Sequence, residues 1–457
     1  MTAVLIFAFI LASSLNVNPL PAIAVVLLLT AAWLVNMIRG VGVEKLSATI
    51  LTNYGYWIVS LFVLANVPLA TFLDYNFFRW DGRIFFFYAP LLFFCSVTVI
   101  ERHARRLLLA WLLLTAAICG IALLQYFVGL PLPGGYEMAP TEATPQGYHK
   151  LINGLQNTHN AAGTYFSLAA MTWLILLVGS TRHDFPLPRW FLWACTVTIG
   201  LAFILTLSRE AFVGTIAGLS FQSYRWVTRG RFWQVVAAGM AALILFGIVV
   251  ASNSAVNDRV FATSAADHNV STRLDEWSST ARLIASSPVV GIGFSRWNDV
   301  FDCQINVCRR QDNGFGYVGI PGLVRLAVGF PAGNGDASPH NSYVLTAAET
   351  GFLGLGLLLL LWAVMFRRVG DVIRWATPGS FDQRLGWAAQ ATIPYALADA
   401  MFAHGLGAPA VGLPVSLVVG LAIARHRRET QLAEQPALLL QSTQMAPAAR
   451  AAMHAEG

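Results

Sequence analysis

One histidine at the mouth of a long apolar run is the residue best placed in this chain to move a proton. Ser338-Pro339-His340-Asn341-Ser342-Tyr343 opens the run, with Pro339 suited to a first helical turn and Ser338 to its cap. His340 then stands at the positive end of a helix, which disfavours a second proton on its ring. The neutral imidazole that remains can act as a base near pH 7. The structural alternative is a histidine that only bonds a backbone carbonyl at a membrane edge.

Two arginines have the chemistry to hold an anion beside such a base. Guanidinium does not lose its proton and grips phosphate bidentately. Arg209 follows Thr206-Leu207-Ser208 and precedes Glu210 at a tight turn between two apolar runs. A charge there is costly and marks function by default; the alternative is an arginine that merely pairs with Glu210. Thr272 and Asp275 have the spacing of a capping box, which predicts Arg273 in the first turn of a helix. Free backbone N–H groups would join its side chain in an anion site, whereas the alternative is an exposed loop arginine.

Secondary candidates are Asn341, His159 (with Asn157 and Asn160), Arg79 and Arg83. The last two are interleaved with Asp74, Tyr75, Trp80 and Asp81, which suits either a sugar-gripping surface or, preferably, an interfacial aromatic belt. Glu349 lies nine residues after His340, on the opposite helical face, and reads as a buried carboxylate pairing with another helix. Gly351 and Gly354 would let that helix come close. Asp399 and His404 receive no role. No clustered Asp or Glu motif argues for a metal, and no Gly-rich phosphate loop or C-x-x-C pair implies a cofactor.

The elements that must position these groups are transmembrane helices. The 457 residues are 56% hydrophobic and 11% charged, against roughly 25% charged in ordinary globular chains. That excludes a soluble enzyme, and the net charge of +6 gathers on no single face that would bind nucleic acid. About 20 apolar residues span a bilayer. That ruler gives twelve spans, near 3–16, 19–38, 49–72, 84–100, 107–128, 159–179, 190–207, 210–224, 233–251, 341–366, 386–404 and 408–424. The first lacks a basic n-region and reads as a retained span rather than a signal peptide.

Lys and Arg decide the orientation, because they should collect in cytoplasmic loops. With both termini cytoplasmic, 18 of the 29 fall inside, and seven of the remainder lie in the long outer segment 252–340, where the rule is weak. Shifting the count by one span inverts the pattern. The expected organisation is therefore helices 1–9 over 1–251, a periplasmic loop region over 252–340, helices 10–12 over 341–428 and a disordered cytoplasmic tail over 429–457. A smaller outer loop, 129–158, is rich in turn residues. An oxidising compartment would permit a Cys303–Cys308 disulfide, while Cys95, Cys119 and Cys195 read as apolar packers.

The run His340-Asn341-Ser342-Tyr343-Val344-Leu345, then Glu349-Thr350-Gly351 and Gly354, resembles the signature of the O-antigen ligase and polymerase superfamily. Thr206-Leu207-Ser208-Arg209, Thr272-Arg273-Leu274-Asp275-Glu276-Trp277 and Pro288-Val289-Val290-Gly291-Ile292-Gly293 agree with it in order and spacing. The resemblance implies an all-α, GT-C-like polytopic fold in the bacterial inner membrane. It also implies a metal-independent, inverting transfer of O-antigen glycan from undecaprenyl diphosphate to a sugar hydroxyl of lipid A core. His340 would be the base, with Arg209 and Arg273 the diphosphate clamp. Competing readings are a repeat-unit polymerase, a protein O-oligosaccharyltransferase and a multi-span transporter or flippase. A transporter would carry ionisable residues near the midplane, whereas the motif residues here gather at one membrane edge.

Overall fold

The computed structural model describes residues 91, 99–130, 137–144, 147–156, 158–178, 180–181, 184–227, 233, 268–291, 340–402 and 411–426. Among them the chain forms α1 (Glu101–Val128), strands β1 (Thr141–Thr144) and β2 (Gly147–Lys150), and helices α2 (His159–Leu177), α3 (Arg189–Ile204), α4 (Arg209–Val227), α5 (His268–Ser286), α6 (Ser342–Trp375), α7 (Phe381–Asp399) and α8 (Val411–His426). By length and composition α1, α2 and α6 can each cross a membrane, and α3 and α8 are shorter apolar helices. The protein is a helical membrane protein. Each expected span that falls within these residues coincides with a helix. The spans at 3–16, 19–38, 49–72, 84–100 and 233–251 lie outside the described residues, apart from Leu91, Val99, Ile100 and Trp233.

Three boundaries differ from the sequence expectation, each for a local reason. Helix α1 starts at Glu101 rather than 107, with Glu101 bonded to Arg105 one turn later. Helix α6 continues past 366 to Trp375, through a charged turn in which Asp371 pairs with Arg374 and Arg368. Ser380 caps α7 by accepting from the Gln383 amide at 3.2 Å, so Arg384 lies in the helix rather than in a loop. The fold is also not purely helical. Within the outer loop 129–158, β1 and β2 form an antiparallel hairpin in the register Thr141↔Lys150 to Thr144↔Gly147. Lys150 Nζ fixes it to the end of α1 by donating to the carbonyls of Gln125 (2.7 Å), which also accepts from the Gly129 amide, and Tyr126 (2.9 Å), in the last turn where helical carbonyls lack amides of a following turn.

The helices alternate in direction, so their ends form two rims. At one rim Arg384 pairs with Asp184 at 2.7 Å, Arg105 reaches the same carboxylate, and Arg425 makes a bidentate contact with Asp382 at 2.6 and 2.8 Å. These bonds join the start of α1, the segment before α3, the start of α7 and the end of α8. Exposed Trp190, Tyr224 and Trp375 lie near the same level, as interfacial aromatics do. The opposite rim gathers the ends of α1, α3 and α7 and the starts of α2, α4 and α6.

Between the rims, α7 packs on α4, α2 and α6, and α2 packs on α3 and α4. Small residues make this possible. A Cβ at Gly218 would lie 2.8 Å from the Ala391 carbonyl oxygen, and one at Gly214 would lie 3.0 Å from the Tyr395 ring. Buried polar groups are paired across helices: Trp111 Nε1 donates to Tyr165 Oη at 2.9 Å, and the hydroxyls of Ser167 and Tyr395 share a bond of 2.7 Å.

Candidate active site

The turn between α3 and α4 is wound tightly enough to strain its backbone. Thr206 and Leu207 amides bond back to Phe203 and Ile204 carbonyls, and Leu207 adopts φ +54°, a left-handed conformation unfavourable for a bulky side chain. What holds it is α2. A Cβ at Gly163 would meet Ser208 Cβ at 2.4 Å and Thr206 Oγ1 at 2.7 Å, so the turn rests directly on that glycine. Arg209 follows as the first, exposed residue of α4.

His340 carries the other non-glycine positive φ among the described residues, +43°. Its helix is capped by Asn341, not Ser338: Asn341 Oδ1 accepts from the amides of Tyr343 and Val344 at 3.0 and 3.1 Å. His340 therefore precedes the cap, outside the first turn. The start of α6 is tied to the end of α7, since the Ser342 amide donates to the Ala400 carbonyl at 2.8 Å and Tyr343 Oη to the Leu397 carbonyl at 2.7 Å. Backbone strain of this kind persists where surrounding packing imposes it and clusters at functional sites. Here both instances fall in segments that the sequence pattern singles out.

Arg273 is not in the first turn of its helix. Helix α5 begins at His268, which places Arg273 in the second turn, so free N–H groups do not surround its guanidinium. The charge of Arg273 acts on two carboxylates, Glu210 and Glu276. Burial pushes the Glu276 carboxyl above its ordinary range, and Arg273 opposes the rise. Glu210 in turn interacts with the charge of Asp399, which is fully buried and accepts from Thr164 Oγ1 at 3.1 Å.

These contacts bring together the starts of α2, α4 and α6, the end of α7 and the first half of α5. His159 belongs to the same rim, just after the Thr158 cap and five residues before Thr164. Glu349 is buried at the end of the second turn of α6. Arg79, Arg83, Asn157, Cys303, Cys308 and His404 lie outside the described residues. From the sequence alone Asp399 receives no role, although an ionisable residue inside an apolar run is itself a signal; on α7, it accepts from Thr164 of α2 and its charge acts on Glu210 of α4.

Residues 194–359, from α3 into α6, match the family model described as O-antigen ligase. Over this stretch the chain is similar to the O-antigen ligase family. The O-antigen ligase region contains the Thr206–Arg209 turn, Arg273, the 288–291 segment and the His340–Asn341 cap, and it leaves α1, α2, α7 and α8 as the scaffold around them. No curated protein matches the chain.

Proposed function

We propose that the protein is an O-antigen ligase of the bacterial inner membrane. It transfers a glycan from undecaprenyl diphosphate to a sugar hydroxyl of lipid A core on the periplasmic side. The observation that carries the reading is the shared rim: the Arg209 turn, Arg273 and the His340 cap are linked through Glu210, Asp399, Thr164 and Ala400. The opposite rim, with its buried Arg384 and Arg425, suits the cytoplasmic side. Both chain termini then lie in the cytoplasm, and the segment 252–340 is periplasmic.

In this reading the acceptor hydroxyl attacks the anomeric carbon from the face opposite the diphosphate, inverting it. His340 takes the hydroxyl proton while Arg209 and Arg273 stabilise charge on the departing phosphate oxygen. The charge of Arg273 faces the carboxylates of Glu210 and Glu276, and the donor phosphates compete with them for it. Asn341, His159, Arg79 and Arg83 remain secondary candidates for the site.

Reconstitution with purified lipid-linked glycan and two acceptors, lipid A core or a second donor molecule, tests the assignment. Sugar should pass to the core, and His340→Ala should abolish transfer without loss of donor binding. Elongation of the donor in place of core modification makes the protein a polymerase. Full transfer by His340→Ala removes the histidine from the mechanism. Arg273→Lys should lose most turnover, because an ammonium cannot make the bidentate contact.

A further inference from the structure

Helix α6 is broken nine residues after its start. Gly351 has φ +67° and ψ −175°, a region of backbone space essentially confined to glycine. The break frees the amides of Phe352 and Leu353 from the helix ladder. They donate instead to the carbonyls of Pro288 (2.7 Å) and Val289 (3.3 Å), in the turn that follows α5. That turn is locked on itself. The Gly291 amide donates to the Ser287 carbonyl at 3.0 Å, Ser287 Oγ donates to the Gly291 carbonyl at 2.8 Å, and Gly291 has φ +72°.

The two glycines are reciprocal. A Cβ at Gly351 would lie 2.1 Å from the Val289 oxygen, and one at Gly291 would lie 2.3 Å from the Glu349 carbonyl carbon. Backbone meets backbone from both sides, so neither contact can yield by a side-chain rotation. Two arms leave this joint toward the shared rim. One is α5, and from Ser287 back to Arg273 it measures about 21 Å at the helical rise. The other is the stub of α6, about 14 Å from Gly351 back to Ser342 by the same rise. The two helices pack along each other. A rotation of 10° at the joint would carry Arg273 through about 4 Å at the helical rise, and a misplacement of 1 Å can cost about 100-fold in rate.

We propose that Gly291 and Gly351 are positioning residues: their backbone joint sets where Arg273 stands relative to His340. The role of Arg273 and His340 rests on the proposed transfer reaction, but the geometry of the joint does not.

The test uses the full chain in lipid nanodiscs with spin-labelled non-canonical residues at the exposed Leu274 on α5 and the half-buried Val344 on the stub of α6. Gly351→Ala and Gly291→Ala should shift the distance between the labels. Without labels, the same variants should lower kcat about 100-fold with the KM for lipid-linked donor little changed. Gly356→Ala, on the same helix with open space around it, should leave both readouts at the wild-type value. If the glycine variants fail to fold, Ser287→Ala removes only the lock on the turn and should shift both readouts in the same direction by a smaller amount. An unchanged distance overturns the joint. A shifted distance with wild-type kcat overturns the positioning role. Retained transfer by His340→Ala with a shifted distance in Gly351→Ala would instead fault the proposed reaction and leave the joint standing.

Discussion

A single methyl group added to α2 should slow the reaction without touching the reacting atoms. Gly163 sits in a helix, where Ala is ordinarily better than Gly by about 1 kcal/mol. Its position reverses that sign. The added Cβ would lie 2.4 Å from Ser208 Cβ, which is more than 1 Å inside ordinary carbon contact, and the turn it strikes already holds Leu207 in a left-handed conformation. Overpacking of this kind costs about 1–3 kcal/mol, so Gly163→Ala should be destabilising by up to about 2 kcal/mol after the helical gain is subtracted. The larger effect is on Arg209, which follows Ser208 directly. If the turn retreats by about 1 Å, the rate should fall about 100-fold. Gly200→Ala in α3, where a Cβ meets nothing within 4 Å, is the matched control and should gain up to about 1 kcal/mol at wild-type rate. Thermal unfolding in nanodiscs and glycan transfer to core acceptor report the two effects separately. A Gly163→Ala protein that is stabilised like Gly200→Ala and turns over normally would show that α2 does not hold the turn in place.

Two further substitutions test other contacts. Asp184→Asn removes the carboxylate paired with Arg384, which is 1% exposed and keeps its bond to the Gly379 carbonyl, and should cost about 3 kcal/mol in unfolding free energy. Burial raises the Asp184 carboxyl, but the Thr181 amide and the charge of Arg384 outweigh it and hold the group below its ordinary value. Its contribution is therefore complete above the usual carboxylate range and disappears as pH falls through the lowered value. An acid-unfolding curve of Asp184→Asn should lose that dependence, and one identical to wild type would remove Asp184 from the acid response. Lys150→Met should release the hairpin from the α1 carbonyls at a cost of about 1 kcal/mol. Hydrogen exchange should then quicken at the hairpin amides, and unchanged exchange would mean that residues 151–154 suffice to hold it.

Periodicity and charge made the helices legible, because a span is a local property of some twenty residues. Alternating Lys and Arg also made the two rims legible before any contact was visible. What escaped was set by residues distant in sequence. Gly351 looks like a small residue that eases helix packing, yet its conformation is decided by a segment sixty residues earlier. Thr272 and Asp275 have cap spacing, but the helix begins at His268 and overrides it. Ser338 has the chemistry of a cap, and Asn341 takes the role because the Ala400 carbonyl fixes the Ser342 amide. Arg384 read only as a mark of sidedness, since nothing local points to Asp184, two hundred residues away.

The interruption at Gly351 divides one apolar rod into a short head and a long shaft. The shaft must follow the bilayer, tilting as the hydrocarbon thickens or thins. The head is bolted to α7 through Ser342 and Tyr343, while the first amides of the shaft bind the 288–289 turn. Lipid-driven rocking of the shaft is therefore met at that joint, below the histidine, and must be resisted there for Arg273 and His340 to keep their bearing.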